Sequence, residues 1–336
     1  MTIKDIAKLS GCGIGTVSRV INNQPGVSEK TREKILKVIR ESNYEPNANA
    51  RHLKLRAAST VCIITKGRVN PLFVNVIEEC MTILSTMGED TITHTIDEYG
   101  DEVAEALRLM RNQNLKGIIF LGANVNLFDE RVDDIDIPCV IATTSGASLN
   151  RRSISSVCVD DEKATTEMIQ YLYNKGHRNI VVVGGSLSEK QISYTRYNGC
   201  KKGFESCGLE FNPEKNYVSC RYAIDAGYNA AKQILESNKE VTAIFALSDM
   251  IALGVIRAIN DAGKKVPDDI SVAGFDGISM SDYATPRITT IWQDADRIAN
   301  RSVELLMKHI HYDLDGEHDV IPYKLIEKES VKEYNK

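Results

Sequence analysis

Apolar residues recur along the chain in two patterns, and each pattern predicts a different kind of structure. Up to about residue 46 they are spaced three and four apart in short runs, as on one face of a helix. From residue 60 onward, short runs rich in Val and Ile alternate with stretches of helical spacing. The chain is therefore predicted to have a small all-α unit followed by a much larger α/β unit.

Three short helices are predicted in the first unit. Thr2 can cap the first helix, which ends at Ser10-Gly11, and the second begins near Ile14. Ser28 can cap the third helix, and Pro46 closes the unit. The side chains expected to face the other helices are Ile3, Ile6, Ala7, Val17, Val20, Ile21, Thr31, Ile35, Val38 and Ile39.

The second of these helices has the surface of a DNA-reading helix. Two short helices joined by a Gly-containing turn form a helix-turn-helix, whose second helix enters the major groove. Arg19 can donate two hydrogen bonds to guanine, and Ile14 can touch a thymine methyl group. Thr16 and Ser18 are better placed to hold phosphates. The same outer face includes Gly15 and Asn22.

A competing interpretation concerns the glycines around the turn. Residues 11–16 resemble the glycine-rich loop that binds dinucleotides in nucleotide-dependent enzymes. That loop must follow a strand, whereas the residues before Gly11 have helical spacing. The helix-turn-helix is therefore the preferred interpretation.

Charge divides the chain at the same place as the apolar pattern. Residues 1–59 contain eleven Lys and Arg against five Asp and Glu, a charge of +6, within a chain whose formal net charge is −5. The remainder therefore carries −11. A basic segment binds a phosphate backbone by releasing its counterions, although a solvated basic face would have the same composition. The asymmetry favours nucleic-acid binding by the first unit alone.

Composition and missing motifs exclude several other classes of protein. A 336-residue chain that is 43% hydrophobic and 26% charged is globular and long enough for two or three domains. It has no apolar run of about 18 residues and no export leader, so we expect a cytoplasmic protein without a membrane segment. Its eight cysteines never form a Cys-x-x-Cys pair, which predicts neither a metal site nor disulfides. No hydrolase, metalloprotease or phosphate-loop motif predicts catalysis, and no cofactor is expected.

The acidic remainder is predicted to form two lobes. Strands that alternate with helices imply parallel sheets covered by helices. About 275 residues exceed one comfortable core, so two α/β lobes are expected, with a cleft at the carboxyl ends of their strands. The predicted strands are residues 60–65, 116–121, 138–142, 180–183, 242–247 and 271–275, and the predicted helices include residues 72–87, 102–111, 163–175 and 251–262.

The sequence resembles the lactose/galactose (LacI/GalR) repressor family from residue 2 to its C-terminal end. In the first unit the resemblance rests on residues 2–7, 15–22, 27–32 and 44–47. In the remainder it rests on residues 242–249 through Gly254, on 266–272 and on 274–276. The resemblance implies a small all-α helix-turn-helix head joined to an α/β two-lobed core like that of periplasmic sugar-binding proteins.

The resemblance also implies domain boundaries. Residues 1–46 would be the helix-turn-helix DNA-binding domain, 47–59 a hinge helix or linker, and 60–336 an effector-binding and dimerisation core. The core chain would cross between lobes near residues 160, 290 and 322. Lobe 1 would then contain 60–160 and 292–321, and lobe 2 would contain 161–291 and 322–336.

The hinge segment from Asn47 to Lys54 is too short for a stable isolated helix, which needs about 12 to 15 residues. The resemblance implies that it folds when two copies meet in the minor groove, with Leu53 as a wedge between base pairs and Lys54 beside it. A plain linker with Leu53 tucked into the core is the alternative. The expected DNA contacts are Thr2, Ile14, Gly15, Thr16, Ser18, Arg19, Asn22, Tyr44, Asn47, Ala50, Leu53 and Lys54. Ile14 and Gly15 depart from the family, which commonly has longer side chains at both positions.

An effector site between the lobes is implied as well. Asp276 and Arg196 are expected to hold paired hydroxyls, and Phe73 and Tyr222 to form aromatic walls. Each has a structural alternative, because a carboxylate after a strand often caps a helix and aromatic residues often belong to the core. The expected effector contacts are Leu72, Phe73, Thr143, Lys190, Arg196, Tyr222, Ser248 and Asp276.

Three of these positions raise particular questions. Ser248 occupies a place where related repressors present a polar hydrogen-bonding group. For Lys190 the alternative is a solvated side chain. Thr143 departs from sugar-responsive relatives, which often have a carboxylate there, so no specific hexose is predicted.

These expectations combine into a ligand-responsive transcriptional regulator, most simply a repressor. A homodimer would bind a pseudo-palindromic operator in double-stranded DNA, because one head makes too few contacts for useful affinity. A small-molecule effector, a sugar or sugar derivative before a nucleoside or base, would shift the lobes and the hinge segments. The sequence does not choose between an inducer and a corepressor. The alternative is a solute-binding protein of a transport system, which would need an export leader and no DNA-binding head.

Overall fold

The computed structural model describes residues 3–21, 26–42, 60–67, 70–129, 131, 134–149, 151–187, 192–238, 240–312 and 314–334. Within these ranges the chain forms a three-helix head and two six-stranded sheets with flanking helices. The predicted all-α head and two-lobed α/β core are therefore confirmed. The described helices include none that is both long enough and apolar enough to span a membrane.

The head consists of α1 (Ile3–Ser10), α2 (Ile14–Ile21) and α3 (Glu29–Glu41). Gly11 lies between α1 and α2 with a φ of +63°, a left-handed conformation that favours glycine where the chain turns. The Thr31 amide donates a hydrogen bond to the Ser28 hydroxyl, which caps α3 as predicted. The three helices bury a small apolar core of Ile6, Ala7, Val17, Val20 and Ile35.

The first sheet is entirely parallel. Its strands are β1 (Thr60–Lys66), β2 (Asp90–Ile96), β3 (Leu115–Leu121), β4 (Cys139–Ala142), β5 (Ile154–Cys158) and β11 (His318–Val320), numbered in chain order. They lie in the order β11-β5-β4-β3-β1-β2. The interior strands β1 and β3 are almost wholly buried, as expected for a parallel sheet that is covered on both faces.

The second sheet has one antiparallel strand at its edge. Its strands are β6 (Ile180–Gly184), β7 (Tyr217–Ser219), β8 (Ala243–Ala246), β9 (Ser271–Asp276), β10 (Thr289–Gln293) and β12 (Tyr323–Ile326). They lie in the order β12-β10-β9-β8-β6-β7, and β12 runs antiparallel to β10.

Helices cover both sheets. Lobe 1 contains α4 (Pro71–Thr86), α5 (Glu102–Asn112), α6 (Asn126–Asp129) and α13 (Ala295–Tyr312). Lobe 2 contains α7 (Asp161–Asn174), α8 (Ile192–Ser206), α9 (Pro213–Asn216), α10 (Ile224–Ser237), α11 (Asp249–Asp261) and α12 (Met280–Tyr283). Helix α4 packs against α13, α7 against α8, and α10 against α11.

The chain passes between the two sheets three times, after β5, after β10 and after β11. The second passage differs slightly from the predicted boundary. Trp292 and Gln293 were assigned to lobe 1, but both belong to β10 and therefore to the sheet of lobe 2. The reason is that β10 (TTIWQ) mixes apolar and polar residues up to the crossing, and no Gly or Pro follows it directly to mark the boundary.

Candidate functional site

A cavity of about 650 Å³ lies between the lobes, where strands of both sheets end. This is the position at which open parallel sheets bind ligands, because helix N-termini and loops converge there. Both lobes supply its walls: Lys66, Gly67, Asn70, Leu72, Phe73, Asp97, Glu98, Gly122, Thr143 and Thr144 from lobe 1, and Ile192, Arg196, Arg221, Tyr222, Ala223, Ile224, Met250, Asp276 and Gln293 from lobe 2.

A buried guanidinium lies at the base of the cavity. The Arg196 Nε donates to Asp161 Oδ1 at 2.8 Å, and its Nη1 donates to the Leu247 carbonyl at 2.6 Å. Its Nη2 is 3.5 Å from Asp276 Oδ1, and the guanidinium stacks over the ring of Phe275 at 3.7 Å. Arg196 is therefore rigidly held, with its Nη2 edge directed toward a carboxylate that lines the cavity.

Asp276 is held at the end of β9 in a strained conformation. Its φ is +102°, a region that only glycine adopts readily. Gln293 donates from Nε2 to Asp276 Oδ1 at 2.9 Å. Burial raises the pKa of Asp276 to about 6, although the neighbouring Arg196 charge opposes the rise. The carboxyl is thus fixed in place and only partly neutralised near neutral pH.

A second strained residue lies in the opposite lobe. Thr143, directly after β4, has a φ of +70°, and its hydroxyl accepts a hydrogen bond from the Gly122 amide at 3.2 Å. Both strained non-glycine residues of the described chain therefore line the cavity, one from each lobe. Such strain persists where the surrounding structure fixes it, and it concentrates at binding sites.

Two aromatic rings flank the cavity. Phe73 comes from the first turn of α4, and its ring packs so closely on Gly122 that a Cβ there would contact it at 2.9 Å. Tyr222 follows β7, and its hydroxyl lies 3.0 Å from the Ser193 hydroxyl. Burial raises the pKa of Tyr222 to about 12, so the phenol stays neutral and can donate or accept a hydrogen bond.

Two buried ionic groups near the cavity were not predicted from the sequence. Lys66, at the end of β1, lies 2.7 Å from Glu102 Oε2, and both side chains are buried. Glu102 also accepts a hydrogen bond from the Asn124 amide. Asp249 accepts from the Ile278 amide and the Thr290 hydroxyl, and burial raises its pKa to about 8. No spacing in the sequence marks these residues, because their partners are distant in the chain.

The predicted effector contacts divide into three groups. Leu72, Phe73, Thr143, Arg196, Tyr222 and Asp276 all line the cavity. Ser248 does not line it: its hydroxyl accepts a hydrogen bond from the Ile251 amide at 3.2 Å, so it is the N-cap of α11. Lys190 lies outside the described residues. The wall residues that were not predicted are Lys66, Gly67, Asn70, Asp97, Glu98, Gly122, Thr144, Ile192, Arg221, Ala223, Ile224, Met250 and Gln293.

The predicted DNA-reading face lies on α2 of the head. Gly15 and Arg19 are exposed and Thr16 is half-buried, whereas Val17 and Val20 face the head core. Open space surrounds the position that a Gly15 side chain would occupy. Ile14 and Ser18 belong to α2, but their side chains are outside the description, and so are Thr2, Asn22, Tyr44, Asn47, Ala50, Leu53 and Lys54.

Nucleotide binding by a glycine-rich loop and metal binding are two other chemistries to compare with the structure. The dinucleotide-loop interpretation of residues 11–16 is wrong, because the segment before Gly11 is the helix α1 and not a strand. Within the described ranges, no group of three or more His, Cys, Asp or Glu side chains is arranged to hold a metal ion.

Two protein families match parts of the chain. Residues 2–47 match the model of bacterial regulatory proteins of the lacI family. Residues 169–331 match the periplasmic binding protein-like domain. The first match contains the head and the second covers most of lobe 2.

Full-length similarity extends over both units. The chain is 35% identical to the HTH-type transcriptional regulator MalR of Clostridium butyricum, over 98% of this chain and 99% of that protein. In fold it is similar to a transcriptional regulator CelR-cellobiose complex, with a TM-score of 0.73, 24% identity, and 98% and 99% of the two chains covered. It is also similar to the lac repressor dimer bound to operator and the anti-inducer ONPF, with a TM-score of 0.69, 23% identity and 99% of both chains covered.

A helix-turn-helix with an exposed arginine, joined to a two-lobed core with a cavity between its lobes, defines a ligand-responsive DNA-binding regulator. The chain belongs to the LacI family of bacterial transcriptional regulators. The resemblance stated from the sequence motifs is thereby confirmed. Membership favours a regulator over a solute-binding protein of a transport system.

Proposed function

We propose that this regulator is a repressor whose operator affinity is controlled by a sugar bound between the lobes. Residues 1–46 would bind DNA, 47–59 would be the hinge, and 60–336 would bind the effector and dimerise. Arg19 and Ile14 would read bases, and Thr16 and Ser18 would hold phosphates. It would act by binding and not by catalysis. Because its target is operator DNA, it would work in the cytoplasm.

The observation that carries the sugar proposal is the pairing of charged and aromatic groups in one cavity. The guanidinium of Arg196 and the carboxyl of Asp276 lie 3.5 Å apart at its base. Such a pair can donate to and accept from neighbouring hydroxyls of a sugar ring. The rings of Phe73 and Tyr222 supply apolar faces for the C–H surface of the same ring.

Unpaired buried oxygens add support for a ligand rich in hydroxyl groups. Thr144 Oγ1 in lobe 1 and Gln293 Oε1 in lobe 2 are buried, and neither has a hydrogen-bond partner among the described residues. Buried polar atoms are rarely left without a partner unless a ligand or water completes them. Hydroxyl donors of a sugar that touches both lobes would satisfy both atoms, and the cellobiose of the CelR complex supports the same ligand class.

Two copies would bind one pseudo-palindromic operator. One head offers too small a surface for useful affinity, whereas two heads can occupy half-sites about one helical turn apart. A sugar that prefers one arrangement of the lobes would change the spacing of the two hinge segments. Leu53 would act there as a wedge and Lys54 would hold the adjacent phosphate.

The cleft is tested by Asp276→Asn. Asn keeps the size of the side chain and tolerates a positive φ, but it removes the charge that faces Arg196. A panel of cellobiose, maltose, ribose, glucose and a nucleoside is titrated into the wild-type protein on its operator, with fluorescence anisotropy as the readout. We expect one of the sugars to change operator affinity, and the variant to need at least about ten times more of it, the cost of a lost charged hydrogen bond.

Asp296→Asn is the matched control, because Asp296 is exposed on α13 and does not line the cavity. It should respond to the active sugar as the wild-type protein does. An Asp276→Asn variant with wild-type sugar response would exclude the carboxyl from the effector site. Operator binding that no member of the panel changes would contradict the sugar class itself.

A further inference from the structure

Two loops at the mouth of the cavity, one from each lobe, are joined by an ion pair. Arg221 follows β7 in lobe 2, and its Nη1 and Nη2 atoms are each 3.4 Å from an oxygen of Asp97, which follows β2 in lobe 1. The same guanidinium lies over the Tyr99 ring, 4.7 Å from its centre. One guanidinium thus contacts two side chains of the opposite lobe.

This contact is distinctive among the charged pairs of the described residues. The other ion pairs between described residues lie within the head or within a single lobe, and Arg221–Asp97 is the one that connects lobe 1 to lobe 2. The lobes also share an apolar cluster in which Leu72 of lobe 1 is buried with Met250 and Ile278 of lobe 2. The cavity is therefore bounded by an apolar contact and by a charged one.

The carboxylate of the pair is held in position by hydrogen bonds within lobe 1. Asp97 Oδ1 accepts a hydrogen bond from the Tyr99 amide at 3.1 Å, and the Asp97 carbonyl accepts one from the Gly100 amide at 2.8 Å. A Cβ at Gly100 would approach the Asp97 carbonyl oxygen to 3.0 Å, so the turn is tight. Asx turns of this kind fix the direction of the aspartate side chain.

Arg221 is adjacent in sequence to an aromatic residue of the cavity wall in its own lobe. Arg221 directly precedes Tyr222, the aromatic wall of lobe 2, and Arg221 and Asp97 both line the cavity. A movement that separates Arg221 from Asp97 therefore also moves Tyr222 relative to lobe 1. Opening of the cleft at this side would therefore break the Arg221–Asp97 pair.

We propose that Arg221, Asp97 and Tyr99 form a clasp that holds the lobes together at the mouth of the cleft and sets how often the cleft opens. The role of the cleft as the effector site rests on the proposed function, whereas the clasp itself does not. The paired side chains are 52% and 54% exposed, and exposed ion pairs change an equilibrium by only a few fold. The clasp is thus weak enough for a bound ligand to outweigh it.

Hydrogen–deuterium exchange of the full-length protein tests the clasp without DNA or sugar. The reporters are peptides that cover residues 120–126 and 276–280. The hydrogen-bonded amide of Gly122 lies in the cavity wall, and that of Ile278 lies in the apolar cluster shared by the two lobes. Asp97→Asn keeps the turn because its amide oxygen can still accept the hydrogen bond from the Tyr99 amide. Arg221→Gln removes the positive charge and the two guanidinium nitrogens that face Asp97. Each variant should exchange about 2- to 5-fold faster at both peptides, because exchange reports the open population.

The double variant and a control complete the test. Asp97→Asn/Arg221→Gln should exchange no faster than Arg221→Gln alone, since that single substitution already removes the contacts with both Asp97 and Tyr99. Arg152→Gln, which removes an exposed ion pair within lobe 1, should exchange as the wild-type protein does. Unchanged exchange in the single variants, additive effects in the double variant, or an equal rise in the control would each overturn the clasp. Failure of the operator titration would instead overturn the proposed function and leave this result standing.

Discussion

Two buried aspartates contact the guanidinium at the base of the cleft, and a third, Asp249, interacts with one of them, Asp276. Asp161 and Asp276 lie 2.8 Å and 3.5 Å from Arg196, and Asp249 lies behind them under β9 and β10. One positive charge does not offset three buried negative charges, so at least one carboxyl must hold a proton over part of the pH range. Asp249 has no cationic partner among its hydrogen-bond contacts, and burial raises its pKa to about 8.

Replacing Asp249 with Asn should make the free energy of unfolding less dependent on pH. The folded-state pKa of about 8 exceeds the ordinary value of 3.8, so the folded protein keeps a proton that the unfolded chain releases. The stability that this proton contributes is complete at low pH and is lost as pH rises toward 8. Asn is neutral throughout, and it can accept from the Ile278 amide while donating to the Thr290 hydroxyl.

Urea unfolding at pH 5, 6, 7 and 8 measures the difference. The free energy of unfolding of Asp249→Asn should decline less than that of the wild-type protein across this range, by about 1 kcal/mol or more. Asp296→Asn, at an exposed position, should follow the wild-type curve. Parallel curves for wild type and Asp249→Asn would show that the Asp249 carboxyl does not change its protonation in this window.

The sequence allowed some of these residues to be predicted and concealed others for physical reasons. Asp276 could be predicted because it lies in a family motif and follows a predicted strand, and Tyr222 because the family resemblance implies an aromatic wall at its position. Glu102 and Lys66 could not, since a buried ion pair between residues 36 positions apart leaves no local pattern. The strain at Thr143 was equally hidden, because a residue type does not reveal its φ.

At the level of elements, α11 begins with a side-chain cap that sequence comparison had suggested as an effector contact. Ser248 is 1% exposed and its hydroxyl accepts from the Ile251 amide. Ser248→Ala should therefore lower the free energy of unfolding by about 1 kcal/mol, the usual cost of a lost N-cap, and leave the sugar response unchanged. Ser248→Thr retains a hydroxyl cap and should be close to wild type in urea unfolding. A lost sugar response at wild-type stability would return Ser248 to the effector site.

Close helix packing in lobe 2 depends on glycines whose role the sequence does not reveal. A Cβ at Gly254 in α11 would overlap the carbonyl oxygen of Ile224 in α10, and a Cβ at Gly199 in α8 would overlap the Glu162 carbonyl in α7. A Cβ at Gly227 in α10 would likewise overlap the Ile251 carbonyl in α11, so the helices of each pair approach to backbone contact at glycines. A glycine within a helical pattern predicts only a weaker helix, because its partner helix is unknown from sequence.

The strands differ in how far the sequence predicts them. Central strands such as β3 have continuous apolar runs and were predicted nearly to their ends. The edge strand β2 alternates Thr with other residues and is half exposed, so its pattern lacks the Val- and Ile-rich signature. Strands β7 and β11 contain three residues each, which is too short for any periodicity.

Across the whole molecule, the division into head and core was predictable because the net charge and the spacing of apolar residues change at the same place in the sequence. The arrangement of the lobes was not, since the contacts that join them are made by residues far apart in sequence, such as Asp97 and Arg221. Three short crossings allow two lobes to move as units about a common hinge, which is how a bound ligand can shift a distant segment. We propose that α2 of the basic head reads DNA under the control of that core.

Selection of duplexes by the full-length protein tests this claim most directly, followed by anisotropy titrations of the selected sequence at several salt concentrations. We expect two related half-sites, affinity that falls linearly with salt on logarithmic axes, and a loss of about 1 to 3 kcal/mol at one position per half-site in Arg19→Ala. Arg152→Ala in the core should bind as the wild type does. A wild-type protein that selects no sequence, or an Arg19→Ala variant with unchanged affinity and preference, would contradict the account.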